Sequence, residues 1–167
     1  MMNRTSHFVD RLYVIGAALS GLSIIIVVCL VLGEIFAREA FGRSILVSVE
    51  YTTYLLVAIT FFGLAYTQRM GQMIYVGLIY DKVSAQTRVW MDLGRTTIAL
   101  AYGLIVTWYV FKFTYNSYDL DQRAMTIMNT PLYLPQATMV VGLVLITVEW
   151  CRAFFISIRR VIGSRLA

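Results

Sequence analysis

The segment Arg69–Asp92, RMGQMIYVGLIYDKVSAQTRVWMD, separates two pairs of long apolar stretches. Within it, polar and apolar residues recur at the spacing of an α-helix and fall on opposite sides. Because a two-faced helix with basic residues on its polar side suits a membrane interface, the segment predicts an interfacial helix over about residues 74–91. An ordinary connecting helix packed on its own protein is the alternative. The residues expected to contact lipid are Val76, Ile79, Lys82, Val83, Arg88 and Trp90.

The composition is that of an integral membrane protein. Of the 167 residues, 59% are hydrophobic and 14% are charged, whereas soluble domains have about 25% charged residues. The mean hydropathy is +0.73. The net charge of +5 does not indicate nucleic acid, because basic residues in a membrane protein mainly set its orientation.

The sequence offers little catalytic chemistry. It contains no P-loop, no His-Glu-x-x-His motif and no nucleophile next to a base, so neither an enzyme nor a cofactor is expected. His7 is the only histidine, and Cys29 and Cys151 are too far apart in sequence for a Cys-x-x-Cys site. We therefore expect no metal centre.

Four stretches flank the central segment, and each has enough apolar residues to cross a membrane. About 20 residues span a hydrocarbon core of about 30 Å. The predicted spans lie at about residues 12–33, 45–68, 93–115 and 135–158. Pro135 suits the first turn of the last helix. We predict an all-α integral membrane protein with four transmembrane helices, forming a single membrane domain over residues 1–167.

The basic residues divide unequally between the two sides that four spans define. Ten of the 14 Lys and Arg residues fall in the N-terminal, central and C-terminal segments. The other four lie in or beside the two remaining connectors: Arg38, Arg43, Lys112 and Arg123. Because basic residues concentrate on the cytoplasmic side, both termini and the interfacial helix are predicted to be cytoplasmic.

Two carboxylates lie inside the predicted spans, where an ionisable group is a functional candidate. Glu50 is near the outer boundary, where water or Arg43 could satisfy it. Glu149 precedes Arg152 by three residues and lies at a depth similar to that of Arg95, so these three are candidates for intramembrane ion pairs. No span carries paired carboxylates or a central Gly-Pro break, which argues against a transporter that works alone.

Small residues four positions apart permit close approach of helices. Packing within the chain is their expected use, and a seam for a partner subunit is the alternative. The pairs are Gly16/Ser20, Ala17/Gly21, Ala99/Gly103 and Thr138/Gly142.

Three stretches resemble the small membrane subunit (the Q subunit, DctQ-like) of tripartite ATP-independent periplasmic, or TRAP, transporters. They are VEYTTYLL at residues 49–56, GLAYTQRMGQMIYV at residues 63–76 and TPLYLPQATMVVGLVL at residues 130–145. The second is similar to the family's Arg-x-Gly-x-His-Ile-x-Val-Asp passage, and the third to its Pro-Leu-Trp-x-Pro start of the last span. The chain departs from this pattern at Met73, Gly77 and Tyr133, where the family usually has His, Asp and Trp.

The resemblance implies a scaffold subunit in a bacterial or archaeal inner membrane. A large membrane subunit (M subunit, DctM-like) would carry the substrate and sodium sites, and a periplasmic binding protein would deliver substrate, usually an organic acid. The implied partners are these two proteins and the lipid bilayer, without nucleic acid. A free-standing four-helix scaffold or small channel is the alternative.

Two sets of residues follow as candidates for contact with these partners. Aromatic, acidic and turn residues of the three matching stretches are candidates for the subunit interface: Glu50, Tyr51, Tyr54, Gly63, Pro131 and Pro135. The basic residues of the outer connectors are candidates for docking the binding protein through charge steering: Arg38, Arg43 and Arg123.

Reporter fusions test the predicted orientation. A fusion at Arg38 or Arg123 should report the periplasm and a fusion near Lys82 the cytoplasm, because the ten-to-four division of basic residues places the central segment inside. A periplasmic signal near Lys82 would contradict four spans with both termini inside.

Overall fold

A computed structural model describes residues 4–42, 46–71, 83–126 and 128–166 of the chain. In these ranges the chain forms four helices and no strand apart from one isolated bridge between Arg123 and Pro131. The helices are α1 (Arg4–Phe41), α2 (Leu46–Arg69), α3 (Ala85–Asp119) and α4 (Tyr133–Leu166). Each is long and apolar enough to cross a membrane, which confirms the predicted fold class.

The helices are longer than the spans predicted from hydropathy. α1 has 38 residues and α3 has 35, which correspond to about 57 and 52 Å at 1.5 Å per residue. Since a hydrocarbon core is about 30 Å thick, these helices tilt or extend into the polar layers. Backbone hydrogen bonds extend each helix into polar residues at its ends. A prediction from hydropathy covers only the apolar part of such a helix.

Part of the central segment lies outside the described residues. Residues 72–82 are in this part, including Val76, Ile79 and Lys82 of the predicted lipid-contact set. The prediction of an amphipathic interfacial helix therefore stays a prediction for this stretch.

The C-terminal part of the central segment, from Ala85 to Asp92, belongs to α3. Val83 is not helical, and Ser84 is the N-cap of α3, where its hydroxyl accepts a hydrogen bond from the Thr87 amide. Arg88 Nε donates to the Val83 carbonyl at 3.2 Å across this start. Arg88 and Trp90 therefore share a helix with the third span, and residues 74–91 are not one continuous helix.

The helices pack side by side in the order α1, α2, α4, α3. The two inner helices each have two main neighbours and the two outer helices have one, so the molecule is a row and not a closed bundle. Within the most apolar window of each helix, only 11–28% of the residues are buried. Most of the apolar surface is therefore left to lipid or to another protein.

Two glycines bring the inner helices of the row close to their neighbours. A Cβ atom added at Gly142 of α4 would lie 2.5 Å from the Cβ of Phe61 on α2. A Cβ atom added at Gly103 of α3 would lie 2.5 Å from Cε3 of Trp150 on α4. Neither position has room for a side chain, so both glycines pack within the chain as predicted.

The small residues of α1 divide between packing and open space. Gly16 lies against Phe62, and the Ser20 hydroxyl donates to the Ile59 carbonyl of α2 at 3.1 Å. A Cβ atom added at Gly21 would meet no described atom within 4 Å. A role of the Ala17/Gly21 pair in contacting a partner therefore stays a prediction.

Replacing Gly142 with Ala should lower the free energy of unfolding by about 1–3 kcal/mol, the usual range for overpacking. The added methyl would collide with Phe61, including its backbone carbon at 3.1 Å. Gly21→Ala is the matched control, since it faces open space in a helix and should not destabilise the protein. Thermal unfolding in detergent measures both, and equal stability of the two variants would contradict the close α2–α4 contact.

Candidate functional site

Charged side chains join three helices at one end of the row. Arg69, the last residue of α2, donates from Nη1 to Oε1 of Glu149 on α4 at 2.6 Å. Its Nε donates to Oδ1 of Asp10 on α1 at 3.1 Å, and its Nη2 donates to the same oxygen. One guanidinium group therefore binds carboxylates from both neighbours of its helix.

The pair between Arg69 and Glu149 is buried. The two side chains are 11% and 6% exposed, whereas Asp10 is 48% exposed. Burial of charge is tolerated when the opposite charge and hydrogen bonds satisfy both groups. Arg152 gives Glu149 a second positively charged partner on the exposed side, with its Nη1 3.5 Å from Oε2 of Glu149.

Tyr13 completes the packing around the guanidinium of Arg69. Its side chain is buried, and its hydroxyl donates to the Leu145 carbonyl of α4 at 2.7 Å. The guanidinium carbon of Arg69 lies 5.5 Å from the centre of the Tyr13 ring, within the range of a cation–π contact. We call Asp10, Tyr13, Arg69, Glu149 and Arg152 the Arg69 cluster, and the end of the row that carries it the basic end.

The structure brings together only part of the ion-pair set considered from the sequence. Glu149 and Arg152 are neighbours along α4, but Arg95 does not join them. Arg95 Nη2 instead lies 3.5 Å from Oδ1 of Asp92 on its own helix. Arg69 is the main partner of Glu149. From the sequence, Arg69 was assigned only to the basic residues that set orientation.

At the opposite end of the row, Glu50 binds hydroxyl groups. Its side chain is buried, and it accepts a hydrogen bond from the Tyr54 hydroxyl at 2.9 Å. The side chains of Thr126 and Thr130 lie near enough to this carboxylate to interact with it. Glu50 therefore faces the connector after α3 from the start of α2. Arg43, the partner considered from the sequence, lies outside the described residues.

The connector between α3 and α4 has its own hydrogen bonds. The Ala124 amide donates to the Thr130 carbonyl at 2.9 Å, and the Leu132 amide to the Gln122 carbonyl at 3.0 Å. The hydroxyl of the fully buried Ser117 donates to Oε1 of Gln122 at 3.1 Å. This connector is therefore a folded element that α3 and α4 hold between them.

Most candidates for the subunit interface make contacts inside the chain. Besides Glu50 and Tyr54, Gly63 faces α1, where a Cβ atom would lie 3.3 Å from Oγ of Ser20. Pro131 pairs with Arg123, and Pro135 lies in the first turn of α4, as predicted. Tyr51 is 41% exposed and is the member of this set most accessible to a partner.

The two described arginines of the docking set are paired locally. Arg38 Nη2 lies 2.9 Å from Oε1 of Glu34, one turn earlier on α1. Arg123 Nη2 lies 3.2 Å from Oδ2 of Asp121. Both arginines are exposed at the end of the row that carries Glu50.

In the described ranges, no group of three or more His, Cys, Asp or Glu side chains could hold a metal ion. The carboxylates that are buried there, Glu34, Glu50 and Glu149, each have a hydrogen-bond partner in the chain. The arrangement is suited to fixing helices relative to one another.

A comparison with protein families gives a match over residues 27–160 of the 167-residue chain. The family is described as tripartite ATP-independent periplasmic transporters, DctQ component. The match includes the three stretches that carry the resemblance in the sequence. No curated protein matches the chain.

Arg69→Gln should lower the free energy of unfolding by about 3–5 kcal/mol, the usual cost of removing one partner of a buried ion pair. Glu149 would keep only the longer contact to the exposed Arg152. Arg95→Gln removes the same charge from a 61% exposed position and should cost less than about 1 kcal/mol. Thermal unfolding of the two variants compares them, and an equal, small loss would contradict a structural role for the Arg69 cluster.

Proposed function

This chain belongs to the DctQ component family of tripartite ATP-independent periplasmic transporters, and we propose that it is the fixed scaffold subunit of its transporter. The observation that carries the scaffold role is the Arg69 cluster. Through one buried guanidinium, α2 is tied to α1 and to α4 at the same level. Moving α4 past α2 would separate the buried pair of Arg69 and Glu149, at a cost of several kcal/mol.

The opposite end of the row supports the same proposal. There the carboxylate of Glu50 on α2 faces Thr126 and Thr130 of the connector that joins α3 to α4. With the close contacts at Gly103 and Gly142 between the two ends, neighbouring helices are fixed at more than one level. A row fixed in this way is suited to bracing a moving partner, and unsuited to changing shape itself.

The chain's own residues support placing substrate and ion binding elsewhere. Its buried carboxylates among the described residues already have hydrogen-bond partners within the chain. An ion or substrate site in a secondary transporter usually lies near the bilayer midplane, on interrupted helices. In this proposal, as the resemblance to the family implies, the large membrane subunit carries the sodium and substrate sites, and the cargo is an organic acid delivered by a periplasmic binding protein.

Family membership decides between the two functions considered from the sequence, a transporter component and a free-standing scaffold or channel, in favour of the first. In this proposal both termini are cytoplasmic, and the end that carries Glu50 is periplasmic. Arg38 in the last turn of α1 and the connector residues Arg43 and Arg123 contribute to docking the binding protein. The segment around residues 74–91 anchors the cytoplasmic side in the lipid interface.

A disulfide across α1 and α2 tests whether the row is fixed during transport. Ser20 and Gly63 are suited to it, because a Cβ at Gly63 would lie 3.3 Å from Oγ of Ser20. Ser20→Cys and Gly63→Cys are combined in a chain with Cys29→Ser and Cys151→Ser. Proteoliposomes with the large subunit and the binding protein should take up substrate equally well with the disulfide oxidised or reduced.

Two controls complete this test. Proteoliposomes with this chain alone should show no uptake, and each single cysteine variant should be insensitive to oxidant. Loss of uptake on oxidation, restored by reductant, would show that α1 and α2 move relative to each other and would overturn the scaffold role. Uptake by the chain alone would overturn the accessory function.

A further inference from the structure

An exposed groove runs along α4 toward the basic end of the row. Its lining residues recur at helical spacing and combine apolar side chains with two arginines: Val148, Cys151, Arg152, Phe155, Ile156 and Arg159. Val148, Phe155 and Ile156 are all exposed, so no described part of the chain covers this stripe. The Arg69 cluster uses only Arg152 from this set.

The two arginines give the groove a positive charge. Arg152 shares Glu149 with Arg69, and Arg69 is the closer partner, at 2.6 Å against 3.5 Å. Arg159 is exposed and forms no ion pair with any residue that the structure describes. The Cα atoms of Arg152 and Arg159 are two helical turns apart, about 10 Å along the axis. Both long side chains can therefore reach one anionic group between them.

The position of the arginines along α4 matches the boundary of a bilayer. α4 begins at Tyr133, and Arg152 lies about 29 Å further along its axis at 1.5 Å per residue. This distance is close to the thickness of a hydrocarbon core of about 30 Å. Arg159 lies about another 10 Å along the axis, at the depth of lipid headgroups, whereas Val148 lies in the hydrocarbon.

We propose that this groove binds an anionic phospholipid. Its phosphate binds Arg152 and Arg159, and an acyl chain packs on Val148, Phe155 and Ile156. Guanidinium groups form charge-assisted hydrogen bonds with phosphate oxygens, often in pairs, and basic pockets beside transmembrane helices are typical sites for anionic headgroups. A helix of another protein would need its own carboxylates at this level to balance the arginines. The proposal does not depend on the scaffold role or on the orientation in the membrane.

Native mass spectrometry of the full chain in a neutral detergent tests the proposal. The protein is titrated with phosphatidylglycerol and, separately, with phosphatidylcholine that has the same acyl chains. Phosphatidylglycerol should bind at least tenfold more tightly. Arg159→Gln should weaken phosphatidylglycerol binding about fivefold and Arg152→Gln/Arg159→Gln about 25-fold, from the usual contribution of a basic residue near anionic lipid. Binding of phosphatidylcholine should not change.

Arg160→Gln is the matched control, because Arg160 is the next residue of α4 and points to Asp92 of α3, 4.0 Å away. It should leave lipid binding within about twofold, the scatter expected when no phosphate contact is lost. Because Arg152 belongs to the Arg69 cluster, Arg159→Gln alone carries the test if the double variant does not fold.

Several results would overturn the proposal. One is equal affinity for the two lipids, and another is equal loss in Arg159→Gln and Arg160→Gln. Displacement of the lipid by excess inorganic phosphate would show a site for small anions. Loss of copurification with the large subunit in Arg159→Gln, with lipid affinity unchanged, would assign the groove to the partner protein.

Discussion

The buried guanidinium of Arg69 is the contact on which the arrangement of α1, α2 and α4 depends. In water, a large apolar interface would hold helices together, but lipid tails solvate apolar side chains as well as other helices do. A row with little interior needs other contacts, and here they are close approach at glycines and polar bonds between helices. The Arg69 cluster is the strongest of these because its central pair is buried at the meeting point of three helices.

This constraint connects the fold to the family's transport function. The described carboxylates that a transporter could use for ions are instead satisfied within the chain, at Glu34 and Glu50 near one end and Glu149 near the other. Most of the large apolar residues that the structure describes are exposed, so the row has a large apolar surface available for contact with lipid or another protein. A thin row with two broad faces is compatible with the proposed component, which supports a larger membrane subunit and contacts lipid along its length.

The sequence predicted the four helices because runs of apolar residues decide membrane insertion, and it predicted the packing of Gly103 and Gly142 because small residues mark close contacts. It did not predict the Arg69 cluster. Asp10, Arg69 and Glu149 are far apart in the chain, and similar depth allowed Glu149 to pair with Arg95 as easily as with Arg69. Choosing between them requires the order of helices in the row, which periodicity does not contain. The sequence did contain one signal for this cluster. Asp10, Arg69 and Glu149 are charged residues of three different spans that lie at a similar depth in the membrane.

The most direct test of a fixed row is the distance between its two outer helices during transport. Spin labels at Ile15 of α1 and Ile98 of α3, both exposed at the basic end, are introduced in a chain with Cys29→Ser and Cys151→Ser. Pulsed electron paramagnetic resonance then measures their separation in the complex with the large subunit, with and without sodium, substrate and the binding protein. A fixed row should give one narrow distance distribution that does not change between these conditions. A shifted or second distribution that appears with substrate would contradict it.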